Sequence, residues 1–126
     1  MDAEVKQAIY EVEQSLIGAI LIRSEGGDRT CIDELQETLR PEEFFFEFHR
    51  RIYTAMLRTK LAPELRTVVA TMHEQDLLKP GDLSQIANCI SVCPCSLDFD
   101  YYALALKKHW ETLGRQTTNQ TVRGAK

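Results

Sequence analysis

EVEQSLIGAIL, residues 11–21, is the stretch on which the reading of the fold turns. With the residues before it, it sets Val5, Ala8, Ile9, Val12, Leu16, Ala19 and Ile20 at steps of three and four. That spacing puts them on one stripe of a long first helix. Glu4, Lys6, Glu11 and Glu13 fall largely outside the stripe. Gly18 lies inside the helix, where glycine costs about 1 kcal/mol relative to alanine. A glycine kept at such a position predicts that another backbone packs close to it. The glycines of SEGGD, residues 24–28, then end the helix, as glycine commonly does at a C-terminus.

The helical period continues through most of the chain. Thr30, with Asp33 three residues on, resembles a capping box and predicts a short second helix with Ile32, Leu35 and Leu39 on its apolar side. Pro41 suits the first turn of the next helix, where Glu42 and Glu43 meet the positive end of the dipole. FFFEFHRRIYTAMLR, residues 44–58, follows with Phe44, Phe48, Ile52, Ala55 and Met56 at helical spacing. Phe45, Tyr53 and Leu57 widen that stripe, so this segment is the expected centre of the core. Burying each Phe contributes roughly 2–3 kcal/mol. Pro63 opens another helix with Leu65, Val68, Val69, Met72 and Leu77 inward, and KPGD, residues 79–82, is a turn. Leu83, Ile86, Ala87 and Ile90 mark the following helix.

Ser96 is the expected N-cap of the last helix, with Asp98 and Asp100 in or near its first turn. Phe99, Ala103, Leu106, Trp110 and Leu113 alternate by four and three, a heptad seam suited to one long partner face. Residues 114–126, GRQTTNQTVRGAK, carry no period and are expected to be disordered. The expectation is therefore one all-α domain of six or seven helices over residues 1–113, followed by a polar tail or linker start.

Composition narrows the function. Hydrophobic residues make up 44% of the chain and charged residues 27%, the balance of an ordinary globular domain. No apolar run approaches the roughly 18 residues a membrane span needs. The start, MDAEVKQAIYEVEQ, is too acidic for a secretory signal, so a cytoplasmic location is expected. The formal net charge of −4 divides into −8 over the first 106 residues and +4 over the last 20. An acidic body repels a phosphate backbone, which leaves the basic tail as either a nucleic-acid contact or a solvated linker.

The residues able to do chemistry have simpler explanations. Cys89, Cys93 and Cys95 are spaced C-x3-C-x-C, Cys31 stands apart, and His49, His73 and His109 are scattered. Zinc sites usually pair two such close-spaced sets, so buried or redox-inert thiols are expected and no metal. His49 has the chemistry of a general base, but no motif places a nucleophile beside it, and a hydrogen bond in the core is expected. Glu42 with Glu43, and Asp98 with Asp100, lie where helix starts favour acids. The aromatics of Phe44–Tyr53, interleaved with Arg50 and Arg51, suit either base stacking or a buried aromatic face. Helical spacing in an acidic body favours the buried face. No G-x4-G-K-[ST] phosphate loop is present, so no catalytic residue, cofactor or enzymatic activity is assigned.

Two segments carry a resemblance. Glu11, Glu13, Gln14, Leu16, Gly18, Ala19 and Leu21 fit an acid-x-Glu-Gln stretch followed by a small-residue helix ending in aliphatics. Pro41, Glu42, Phe44, His49, Arg50, Ile52 and Tyr53 fit a Pro-acid-x-Phe run, a nearby His and an aromatic-aliphatic helix. Leu77, Ile86, Pro94 and Tyr101-Tyr102-Ala103 fit later landmarks. In that order and spacing, over roughly residues 8–115, they resemble the amino-terminal domain of DnaB-type replicative DNA helicases. Two departures stand out. KLAPELRTVVA, residues 60–70, replaces the family's Gly-x-Pro-Ile-Asp turn and Val-Thr-Val helix start. The family's helical hairpin, which pairs with a neighbouring subunit, is represented here only by its first helix, with Trp110 on it.

The resemblance implies a non-catalytic role. It implies subunit assembly, possible homo-oligomers, and docking of primase, a helicase loader or other helicase subunits during DNA replication. DNA contact is expected to be indirect or absent. The expected partner interface is the last helix's seam: Phe99, Tyr102, Ala103, Leu106, Trp110 and Leu113. Two other roles remain open at this point. One is a free-standing regulator that competes for helicase or primase. The other is a small nucleic-acid-binding module using the basic tail.

Overall fold

The computed structural model describes residues 2–111, and the regular structure there is helical throughout. Six α-helices are present: α1 (Ala3–Arg23), α2 (Thr30–Leu35), α3 (Glu47–Arg58), α4 (Leu65–Glu74), α5 (Asp82–Val92) and α6, residues 99–111. Two single 3-10 turns, Pro41–Glu43 and Ser96–Asp98, precede α3 and α6. The all-α expectation and its helix number hold.

α1 begins at Asp2, whose carboxylate accepts the Glu4 N–H at 3.3 Å. It is not the one-sided helix expected. Every residue from Glu13 to Leu21 is buried, while Val5 (44% exposed) and Ala8 stand in solvent. A helix apolar on all sides belongs at the centre of a bundle. Here α1 packs against α2, α3, α5 and the turn before α6. The close backbone predicted at Gly18 is that of α5. A Cβ on Gly18 would stand 2.8 Å from the Cys89 carbonyl carbon and nearer still to its oxygen. Gly26 and Gly27 then take φ of +83° and +93°, left-handed conformations that glycine adopts without steric cost.

Several boundaries differ from expectation. Thr30 is the first residue of α2, Arg29 holds the N-cap position without a side-chain cap, and the Asp28 carboxylate one residue earlier accepts the Thr30 N–H at 2.9 Å. Asp33 is turned to Arg29 instead. The largest correction concerns residues 44–46. Pro41 starts only a 3-10 turn, the backbone at Phe44 and Phe46 is extended, and α3 begins at Glu47. The cause is long-range, because the Glu13 carboxylate takes the Phe45 and Phe46 N–H groups out of any helix. Phe44 is buried from the extended segment, its ring centroid 4.9 Å from that of Tyr53, while Phe45 is 36% exposed.

α4 presents Val68 and Met72 to the core, with Leu65, Val69 and Leu77 only half-buried. On α5 the inward residues are Asp82, Ile86 and Cys89; of the apolar residues that mark the helix in the sequence, Leu83 and Ala87 are exposed. The helix is rotated so that Cys89 meets Gly18 and Asp82 meets Arg51, which turns Leu83 outward. Ser96 opens a 3-10 turn rather than capping α6 directly. The Tyr102 hydroxyl donates to the Cys95 carbonyl at 3.2 Å and ties that turn to the helix.

Candidate interaction site

The buried ionisable groups hold the fold together. Glu13, 1% exposed, extends from α1 and accepts from the Phe45 N–H at 2.6 Å, the Phe46 N–H at 3.3 Å and His49 Nδ1 at 2.7 Å. A carboxylate in that position fixes Nδ1 as the donor. His49 is itself buried, among the rings of Tyr10, Phe46 and Phe48 at centroid distances of 4.8, 6.0 and 5.5 Å. A carboxylate and an imidazole so enclosed position a loop. The sequence assigned His49 to a core hydrogen bond correctly but placed Glu13 outside the apolar stripe. The missed signal is that Glu13 falls one turn from Ile9, Leu16 and Ile17. An acid inside an apolar ring needs a buried partner.

Two further ion pairs were not legible in advance. Arg51 reaches from α3 to Asp82 at the start of α5, and also donates to the Leu77 carbonyl at 2.8 Å. The Asp82 hydrogen bond holds the Arg51 guanidinium above its ordinary pKa, and the Arg51 hydrogen bond holds the exposed Glu47 carboxyl below its own. Lys107 Nζ, on α6, donates to Glu43 at 2.9 Å and to the Thr38 carbonyl at 2.6 Å. Glu43 in turn accepts the Arg40 N–H at 2.8 Å. Lys107 thus belongs to the folded body, and the basic run after residue 111 lies outside the described residues.

The thiols are muted. Burial pushes the Cys31 and Cys89 thiols up to about 12, and raises Cys93 as well. At neutral pH such groups carry almost no thiolate, the form that attacks electrophiles and binds metals. Among the described residues, no group of three or more His, Cys, Asp or Glu is placed to hold a metal ion.

The seam expected to meet a partner is spent mostly inside the chain. Phe99, Tyr102, Ala103 and Leu106 are buried against the domain's own core, and Trp110 is half-buried. Leu113 lies outside the described residues. Arg23 stacks over the Phe99 ring at 5.1 Å, while Ile9, Leu106 and Trp110 line one small enclosed space, so α6 runs antiparallel along α1. What α6 leaves outside is a second apolar stripe: Leu97 (73% exposed), Tyr101 (68%) and Leu104 (57%). A separate groove of about 520 Å³ opens where Leu65 and Val69 of α4 face Leu83 of α5, with Glu25, Glu64 and Arg66 at its rim.

The result is a small all-helical domain whose buried charges serve its own packing and whose mostly charged surface leaves apolar patches uncovered on α6 and between α4 and α5. The DnaB-like helicase N-terminal domain model matches residues 5–108. The replicative DNA helicase DnaB of Geobacillus stearothermophilus is 30% identical over 97 residues, covering 74% of this chain and 20% of that protein. The replicative DNA helicase DnaC of Bacillus subtilis (strain 168) matches with the same identity and coverage. The crystal structure of the N-terminal domain of DnaB helicase from Mycobacterium tuberculosis shares the fold, with a TM-score of 0.71 at 23% identity. That match covers 92% of this chain and 86% of the other. The chain belongs to the DnaB-like helicase N-terminal domain family. It spans about a fifth of the length of the two helicases it matches.

Proposed function

We propose that this domain serves a replicative DNA helicase as a non-catalytic assembly and docking element. It packs against other helicase subunits and presents a face to primase or a helicase loader, which keeps unwinding and primer synthesis coupled in the cytoplasm. The observation that supports this reading most is the family match over residues 5–108. The mechanism is apolar burial. Each exposed leucine or tyrosine covered by a partner contributes on the order of 1.5–3 kcal/mol before the costs of association. The acidic body disfavours direct DNA contact. No described helix is long and apolar enough to cross a membrane.

Among the described seam residues, Trp110 is the one whose half-exposed ring can contribute to docking directly. Phe99, Tyr102, Ala103 and Leu106 act by fixing α6 in place. The test is primer synthesis by a reconstituted helicase and primase with the chain added in excess. Inhibition that saturates is the expected result, because the added domain occupies a partner's docking surface. Undiminished primer synthesis at saturating chain would overturn the reading.

A further inference from the structure

Two of the four cysteines are not sealed in the core. Cys31 and Cys89 are buried, whereas Cys93 and Cys95 are half-buried and flank Pro94. The pair lies in the joint between α5, which ends at Val92, and the 3-10 turn that opens at Ser96. Both cysteines have extended backbone, and the chain bends at Pro94 between them. The proline ring fixes φ at about −65°. A residue so held advances the chain by about 3.1 Å, which leaves the Cα atoms on either side roughly 6 Å apart, within the span of a disulfide. The side chains converge as well. The Cys95 N–H is aimed at the Cys93 sulfur and partly offsets the burial that raises that thiol. Burial raises the Tyr102 hydroxyl, and both thiols lie near enough to raise it further. That hydroxyl donates to the Cys95 carbonyl, which also accepts the Asp98 N–H at 3.2 Å.

We propose that Cys93 and Cys95 form a dithiol modification site, which closes reversibly to an intramolecular disulfide across Pro94. The step is thiol–disulfide exchange with glutathione disulfide. One cysteine loses its proton to solvent, and its thiolate attacks a sulfur of glutathione disulfide. One glutathione leaves and takes up a proton. The second cysteine, deprotonated in turn, displaces the other glutathione from the mixed disulfide. The pair gives up two electrons and two protons, and glutathione disulfide departs as two glutathione molecules. A resolving thiol held one residue away needs little thiolate, because the encounter is already intramolecular. Cys31 and Cys89 exchange slowly by comparison, because burial pushes both thiols up to about 12. In a glutathione-buffered compartment such a bond is transient, opening and closing with the redox poise. Closure ties the end of α5 to the residue whose carbonyl anchors Tyr102. The site therefore acts at the start of the helix that carries Trp110, and it is independent of the docking role.

The experiment counts thiols on the 126-residue chain. The chain is equilibrated with glutathione disulfide, quenched with acid, unfolded and labelled with N-ethylmaleimide, and its mass is read. The reduced chain carries four labels, one for each cysteine. The oxidised chain should carry two, and excess reduced glutathione should restore four. Cys93→Ser should instead trap a glutathione on Cys95, and Cys95→Ser should trap one on Cys93, with no bridge in either. Pepsin digestion of the oxidised wild-type chain locates the bridge without relying on any variant, and a fragment with Cys93 joined to Cys95 is expected. Four labels after oxidation would overturn the proposal. So would two bound glutathiones without a bridge, a bridge that persists in either serine variant, or a bridge between two chains on a non-reducing gel.

Discussion

Helices α1 and α6 lie side by side and are both rich in apolar residues, yet they meet different fates. The middle of α1 is enclosed on every side, and its one acid, Glu13, is paired with a histidine and two backbone amides. α6 is enclosed on one side and leaves Tyr101 and Leu104 in solvent. Periodicity alone does not separate them. What separates them is how many neighbours the rest of the chain provides. α1 is the hub for the other elements, and α6 is the last described helix, with no later described element to cover it.

The enclosed helix is most vulnerable at Glu13. Glu13→Ala leaves two amides and His49 without their acceptor in a buried place. It should cost about 3–5 kcal/mol, measured by urea unfolding. A loss near zero would mean that the loop at residues 44–46 holds itself. Gly18→Ala is the next largest. On an open helix the change would gain about 1 kcal/mol, but against the Cys89 carbonyl it should instead lose about 1–3 kcal/mol. Stabilisation would show that α1 and α5 sit farther apart than described.

The enclosed side can also be probed by pH. The Cys31 and Cys89 thiols titrate near 12 in the folded chain against an ordinary value of 9.0. Above pH 9 the unfolded chain holds fewer protons than the folded one, so stability should fall as pH rises from about 9 toward 12. Replacing both cysteines with alanine should make that part of the melting-temperature profile shallower, the remaining slope coming from Tyr10, Tyr53 and Tyr102, whose hydroxyls burial also raises. On the uncovered side the effect should be smallest. Leu104→Ser should change the monomer's stability by no more than about 0.5 kcal/mol, read in dilute urea melts where any dimer has dissociated.

Much of this contrast was present in the sequence. The step of three and four found the helices, and Gly18 announced a close crossing that α5 supplies. What stayed hidden was long-range. Nothing near Phe44 says that Glu13, some thirty residues earlier, will claim the amides of Phe45 and Phe46 and straighten a segment that reads as helix. Nothing near Leu83 says that the Arg51–Asp82 pair will rotate α5 and turn a leucine outward. The last helix's seam was legible as a seam, but its spacing could not say whether the face looks inward or toward a partner. That depends on α1 lying beneath it.

The most direct test of the docking role is isothermal titration calorimetry of the chain against two partners: primase, and a replicative helicase lacking its own N-terminal domain. Saturable binding to at least one of them, weakened by substitutions on the outer side of α6 or at Trp110, is the predicted result. Absence of binding to both, at low salt and high concentration, would contradict the assignment of this domain to assembly and docking.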